Sequence, residues 1–341
     1  MMSHGPSPVC SICIANYNGM KVIDNCIRSV MAQDFEQVVE IIVHDDASND
    51  GSADYIREHY PDVVLIVSET NVGFCISNNR MAKVARGRYI LLLNNDAELF
   101  PDALSALYTE AEQAATPAIL GLPQYDAATG SLIDIGSRFD PFLNPIPNLD
   151  PSQQEIGMII GACLWLPSSL WEELGGFPDW FGSLAEDMYL CCLARLYGYT
   201  VMALPDSGFR HWVGQSLGGG KIVNNRLATK LTRRVISERN KTFVMALTYP
   251  APVFHIIFPL HLGLLLMEGV ILAMLKGKTS LYKDIYWACI KAQWIERKRL
   301  RQLRRKIQAH PHIGIKKFLS VFDLIPYKLS MLWRHGLPEV R

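Results

Sequence analysis

Several short clusters in this 341-residue chain carry side chains able to do chemistry. Asp96 and Glu98, with Ala97 between them, can turn two carboxylates towards one point if the chain curves there. Paired hard oxygens suit Mg2+ or Mn2+, and such ions usually bind with substrate phosphates completing the shell. The plain alternative is that Asp96 caps a turn and Glu98 is solvated. Asp46 sits directly after an apolar run, where its carboxylate could accept the N–H of a pyrimidine base. Asp50, in the same turn, reads as an Asx turn capping the helix that opens at Ser52. Glu186-Asp187 opens a helix over Met188–Tyr197, a place where the helix dipole alone favours acids. Before them, Gly175-Gly176-Phe177-Pro178 and Trp180-Phe181 suggest an aromatic-lined loop able to hold the apolar face of a sugar ring. An acid presented from such a loop can serve as a general base. His211 stands alone beside Trp212 and gains a role only if the fold returns it to Asp96.

The elements that must position these residues follow from periodicity. Continuous apolar runs predict buried strands at Val9–Ala15, Val38–Val43, Val63–Val67 and Tyr89–Leu93. Helical patterns fall at Asp24–Gln33, which starts at an Asp cap, and at Ser52–His59, Cys75–Ala85 and Pro101–Ala114. Strand–helix alternation predicts an α/β fold, a mainly parallel sheet with helices on both faces. Its ligand belongs at the carboxyl ends of the strands. There stand Asn16-Tyr17-Asn18, Asp45 to Gly51, Asn71-Val72-Gly73-Phe74 and Asn94 to Glu98.

Composition and missing motifs exclude other classes. At 49% hydrophobic and 19% charged, the chain is neither disordered nor collagen-like. No GxGxxG follows the first strand, and no GxxxxGK[ST] occurs. Gly218-Gly219-Gly220-Lys221 is followed by Ile222 and reads as a mobile loop. Met1 to Pro8 shows no secretory signal pattern. The eight cysteines lack disulfide density and zinc spacing, so they read as buried thiols of a reducing compartment.

In this order the clusters resemble the family 2 glycosyltransferases of the GT-A fold, and are similar to the bacterial rhamnosyltransferase-like branch that builds surface polysaccharides. The matching residues are Ile14 to Asn18, Asp45 to Ser52, Asn71 to Phe74 with Asn78-Asn79, and Tyr89 to Asp96. Gly175-Gly176-Phe177, Glu186-Asp187, Arg195, Gly198-Tyr199, Pro205-Asp206, His211 and Ser216 follow, and Glu238-Arg239-Asn240-Lys241 looks like the family's post-catalytic segment. The resemblance implies that Asp46 contacts the nucleobase of a nucleotide-diphosphate sugar. Ala15, Asn16, Tyr17, Asn71, Gly73, Asn79, Asn94 and Asn95 would line the donor site. Asp96 would bind Mg2+ or Mn2+ at the diphosphate, with Glu98 nearby and His211 reaching the same ion. Asp187, of the Glu186-Asp187 pair, would deprotonate the acceptor hydroxyl and give inversion. Trp180, Phe181 and Trp212 would face the acceptor. Many relatives carry two aspartates in an Asp-x-Asp motif, whereas Asn94 and Glu98 flank Asp96 here. Ala15 stands where many carry a hydroxyl residue. A nucleotidyltransferase would need a Gly/Arg/Lys-rich loop after the first strand, which Asn16 to Met20 lacks. A catalytically inactive membrane scaffold is the other alternative.

Charge divides the chain. Residues 1–220 carry 10 Lys and Arg against 27 Asp and Glu; residues 221–341 carry 23 against 6. A catalytic domain is therefore expected over 1–240 and a basic, apolar, helical membrane-associating region over 241–341. Between Lys241 and Glu268 lie 26 residues without a charge, enough to span a bilayer. Pro250, Pro252 and Pro259 interrupt the run, and a single crossing would export the 16 Lys and Arg of residues 276–341. A helix or helical hairpin lying in the cytoplasmic leaflet is the expectation, peripheral or monotopic, with a dimerisation helix and hence a homo-oligomer as the competing use. Lys291–Lys306 reads as a basic amphipathic helix with a stripe of Trp294, Ile295, Leu300, Leu303 and Ile307. The neighbouring apolar run favours an anionic membrane surface over nucleic acid, and a lipid-linked saccharide as acceptor.

Overall fold

The apolar run Cys10–Asn16 forms β1, enclosed by neighbours on both sides. A computed structural model describes residues 7–212, 221–223, 226–310, 313–335 and 339–340. Gly218 to Gly220 and Ser216 lie outside the described residues. The chain divides into two compact units. One holds Met1–Ser137, Pro147–Ala194 and Tyr199–Trp212; the other holds Arg138–Ile146, Arg195–Gly198 and Val213–Arg341.

The first unit is built on a seven-stranded sheet. Its strands are β1, β2 (Val39–Asp45), β3 (Val64–Val67), β4 (Tyr89–Asn94), β6 (Ala118–Gly121), β9 (Cys163–Pro167) and β10 (Thr200–Ala203). Their order is β10-β6-β9-β4-β1-β2-β3. Among the described strands of this sheet, β9 alone runs antiparallel to its neighbours, so the sheet is mainly parallel as expected. A second sheet joins β5 (Ala97–Leu99), β7 (Gln124–Asp126), β8 (Leu132–Asp134) and β11 (Phe209–His211) in the order β5-β11-β7-β8.

The helices of this unit follow their sequence patterns with shifted ends. In α1 (Ile23–Met31), Ile23, Cys26, Ile27 and Val30 face the core at helical spacing. Asp24 does not cap α1, contrary to expectation; its carboxylate accepts bonds from the Tyr55 and Tyr60 hydroxyls. α2 (Ser52–His59) follows Gly51 at φ 85°, and Asp50 accepts both the N–H and the hydroxyl of Ser52. α3 (Phe74–Val84), α4 (Ala103–Gln113), α5 (Ser168–Leu174) and α6 (Glu186–Tyr197) complete the set. All eight cysteines are buried and outside any disulfide. Burial pushes the thiols of Cys10, Cys13, Cys26, Cys75, Cys163 and Cys289 above their ordinary range.

The second unit is chiefly helical. α7 (Leu231–Thr248) ends before Pro250, and α8 (Ala251–Lys276) follows as one helix running through Pro252 and Pro259. Of the three prolines expected to interrupt the uncharged run, Pro250 does, standing between α7 and α8; Pro252 lies in the first turn of α8, where a missing N–H costs nothing, and Pro259 stays within the helix. α8 is the one described helix long and apolar enough to cross a membrane. Helical residues 279–287, π-wound over Tyr282–Trp287, lead into α9 (Ala288–Ile295). A break at Glu296 separates α9 from α10 (Arg297–Ala309), so the expected basic stripe is split. Leu300 and Ile307 are buried, whereas Trp294 and Ile295 are exposed. Arg304 and Gln308 of α10 donate to the Ala246 and Leu247 carbonyls in the last turn of α7. α11 (Tyr327–His335) is joined to α7 and α8 through Lys328, whose ammonium meets Glu238 at 2.5 Å and Glu268 at 2.9 Å.

Candidate functional site

Parallel pairing sets β1 between β2 and β4 with Asn16 opposite Asp45 and Ala15 opposite Asn94. Three strand ends thus stop at one edge of the sheet. The buried Asn16 amide joins them: it donates to Asp45 Oδ2 at 2.8 Å and Ser52 Oγ at 2.9 Å, and accepts from Asn95 Nδ2 at 2.8 Å. Gly19 is required beside it, since a Cβ there would lie 2.0 Å from Asn16 Oδ1. The Asn18 N–H donates to Ser48 Oγ, and the Asn49 N–H to Asn18 Oδ1, so the loops after β1 and β2 close on each other. Tyr17 is left exposed on this rim.

Asp46 is buried at the end of β2. Its Oδ1 accepts the Val72 N–H at 2.6 Å and its Oδ2 the Gly73 N–H at 2.9 Å, while Asn71 Nδ2 reaches its carbonyl at 3.4 Å. Each carboxylate oxygen keeps a further lone pair for an incoming donor. Ala47, the next residue, is held at φ 60°, which costs a non-glycine residue about 1–3 kcal/mol.

The second sheet returns the chain to Asp96. β11 lies antiparallel to β5 with His211 opposite Ala97, and the Trp212 N–H donates to the Asp96 carbonyl at 3.1 Å. His211 Nε2 then stands 3.1 Å from Asp96 Oδ1 and 3.4 Å from Asn94 Nδ2. Both His211 and Asp96 are buried, and Asn94 Oδ1 is a buried oxygen with no hydrogen-bond partner among the described residues. A carboxylate and an imidazole nitrogen, beside an Asn94 amide that turned over would present its oxygen to them, form a donor set that fits a hard divalent cation sharing its shell with phosphate. Glu98 does not join them. It lies opposite Arg210 and accepts from Asn25 Nδ2 at 3.3 Å. Among the described residues, no three His, Cys, Asp or Glu side chains gather closely enough to hold an ion.

Two residues here escaped the sequence reading. Gln124, buried on β7, places Nε2 2.7 Å from His211 Nδ1. Its amide can donate at Nε2 or, turned over, accept at Oε1, so it supports either imidazole tautomer. Asp134 lies opposite Gln124 on β8. Burial pushes its carboxyl up to about 7, with the Gly136 N–H and His211 pulling it part of the way back.

Asp187 begins α6. Its Oδ2 accepts the Gly161 N–H at 3.1 Å and its Oδ1 its neighbour Met188's N–H at 2.7 Å. Leu184 and Ala185, just before the Glu186-Asp187 pair, both hold positive φ, 69° and 64°. A chain of contacts connects this loop with Asp46: the Cys75 N–H donates to the Gly182 carbonyl, and Gly73 packs against the same carbonyl. Asn79, expected at the donor, spends its amide on the loop instead, donating to the Phe177 carbonyl and Asp179 and accepting the Phe177 N–H. Phe181, expected at the acceptor, is a core residue packed edge-on to Trp180 and Tyr189. Trp180 and Trp212 keep partly exposed positions.

Residues 11–174 match the profile described as Glycosyl transferase family 2. They belong to the family 2 glycosyltransferases. An uncharacterised glycosyltransferase of Escherichia coli is 34% identical to this chain over 104 residues, 30% of each chain. An N-acetylglucosaminyl-diphospho-decaprenol L-rhamnosyltransferase of Mycobacterium tuberculosis is 22% identical over 214 residues, 54% of this chain and 69% of that one. The chain spans about a third or less of the length of the first curated relatives it matches. A mannosyltransferase of Pyrobaculum calidifontis, solved with GDP-Man and Mn2+, superposes with a TM-score of 0.53 at 18% identity, covering 85% of this chain and 87% of that one. The family 2 domain therefore has the expected GT-A fold.

Folding makes Asp134 easier to protonate than it is in the unfolded chain. The stability linked to it therefore falls as pH climbs from about 4 to about 7 and is level above. Asp134→Asn should flatten this slope and be the more stable protein at pH 8 in urea unfolding; an unchanged slope would clear Asp134. Gln124→Met keeps the volume and removes the bond to His211. Its Mn2+ affinity, read by paramagnetic resonance of the free ion, should drop about 10- to 100-fold with the fold intact. An unaltered affinity would deny Gln124 that part.

Proposed function

We propose that the protein transfers a sugar, rhamnose or another hexose, from a nucleotide-diphosphate donor to a hydroxyl of a lipid-linked saccharide in cell-surface polysaccharide synthesis. The meeting of Asp96 with His211 at the end of β4, on the sheet edge that also carries Asp46, is the observation that carries this reading. The rhamnosyltransferase relative, named for a lipid-diphosphate acceptor, and the Mn2+ and nucleotide-sugar named for the mannosyltransferase lend further support.

In this reading Asp46, aligned by Val72 and Gly73, accepts a base N–H with its remaining lone pairs. Asp96, His211 and Asn94 Oδ1 would hold Mg2+ or Mn2+ beside the diphosphate. Such an ion supplies charge neutralisation for the leaving diphosphate. Asp187 takes the proton from the acceptor hydroxyl as that oxygen attacks the anomeric carbon from the face away from the leaving group. One displacement of this kind inverts the anomeric centre. Gly161 and Met188 hold the Asp187 carboxylate in place by N–H bonds, one to each oxygen. Asn79 acts at one remove, by fixing the loop that carries Trp180. The site works at the cytoplasmic face of the membrane, where such donors are made.

Two variants test the roles. Asp187→Asn should keep donor affinity and lose roughly 10²–10⁴-fold in transfer, the usual scale for a general base. Asp96→Ala should abolish the gain in nucleoside-diphosphate affinity that Mn2+ gives the wild type, in calorimetric titration. Full transfer by the first variant, or an intact Mn2+ effect in the second, removes that residue from its role.

A further inference from the structure

Two helices of the second unit are amphipathic the wrong way round for water. On α8 the inward face carries His261, Leu265, Gly269 and Leu272, and Glu268 meets Arg234, Tyr286 and Lys328. Its outward face shows Ile256, Leu260, Met267 and Met274. On α11 the cation Lys328 turns in to Glu238 and Glu268, while Leu329, Leu332 and Trp333 turn out. Trp333 is 89% exposed, and Leu324, just before the helix, 87%. The Lys328–Glu268 pair sets α8 and α11 side by side. Ions inside with large apolar residues outside cost free energy in water and are favourable against hydrocarbon.

We propose that α8 and the segment 324–333 form one docking surface that beds into an anionic membrane leaflet without crossing it. The proposal rests on the reading above that the acceptor is lipid-linked, and names the residues that meet the lipid. Charge selects the occupant. Residues 221–341 carry 23 Lys and Arg against 6 Asp and Glu, so a second copy would bring like charge to like, whereas anionic headgroups offset it. Packing selects the depth. α8 is covered along one face by Ile285, Tyr286 and Cys289, and a Cβ at Gly269 would lie 2.6 Å from the Tyr286 ring. The covering helix has Lys283 and Asp284 beside those residues. Taking α8 through the bilayer would drag these charges and the Glu268 ion pairs into hydrocarbon, which is costly.

The test uses the full chain and sucrose-loaded vesicles of phosphatidylcholine with and without phosphatidylglycerol. Wild type should sediment with the anionic vesicles. Leu329→Glu with Trp333→Glu, and separately Met267→Glu with Met274→Glu, should each bind about tenfold or more weakly with unchanged melting. Binding by both variants equal to wild type overturns the proposal, as does a wild-type dimer in ultracentrifugation that either variant dissociates. Single probes Ala251→Cys and Ser280→Cys, at the start of α8 and just beyond its end, should both react with an impermeant maleimide outside sealed vesicles; protection of one of them means a crossing and overturns it too. Transfer to a short-chain acceptor in detergent is followed in parallel. Vesicle binding without transfer sinks the functional reading and leaves the docking surface, and transfer without vesicle binding does the reverse.

Discussion

Parallel strands paired in register end together, and the site depends on that constraint. The pairing of β1 with β2 and β4 delivers Asn16, Asp45 and Asn94 to one edge of the sheet before any loop contributes. A slip of one residue would turn each of these side chains to the opposite face. The polar residues beyond the strands then inherit their positions. Asp46 follows Asp45, and Asp96 follows Asn94 by two. The Asn16 amide, bonded to Asp45, Ser52 and Asn95, locks the strand ends in that arrangement.

The second constraint is backbone strain placed beside function. Of the six described non-glycine residues at positive φ, Ala47 adjoins Asp46, Leu184 and Ala185 precede the Glu186-Asp187 pair, and Asn18 bonds to the loop that follows Asp46. Asn18 is a residue type that tolerates this conformation, and its N–H and side-chain oxygen bond to the loop after β2; Ala47, Leu184 and Ala185 have no such preference of their own. The Gly182 carbonyl, shared by Gly73 and Cys75, lets the loop before Asp187 feel the turn that orients Asp46.

Strands and helices with strong local signals were legible in the sequence, because a continuous apolar run or a 3.6 period needs no knowledge of distant residues. β9 carries the same kind of continuous apolar run, Cys163 to Leu166, but went unassigned, and its antiparallel direction shows only in its pairing with β4 and β6. Gln124 and Asp134 were invisible for a related reason: each lies in a three-residue strand, too short to show a period. Glu98 looked like a partner of Asp96 from spacing alone, but pairing of β5 with β11 sent it to Asn25. Phe181 and Asn79 matched their motifs in type, while packing decided that one fills the core and the other clamps a loop. The inverted face of α11 shows only once Lys328 is seen to turn inward.

The buried thiols have a use unconnected with the site. All eight cysteines lie inside the protein, and burial holds six of them in the protonated, unreactive form. The native fold is thus a silent background for sulfhydryl chemistry. A lone cysteine introduced on its surface can take a fluorophore, spin label or crosslinker site-specifically, with no native thiol to be removed first.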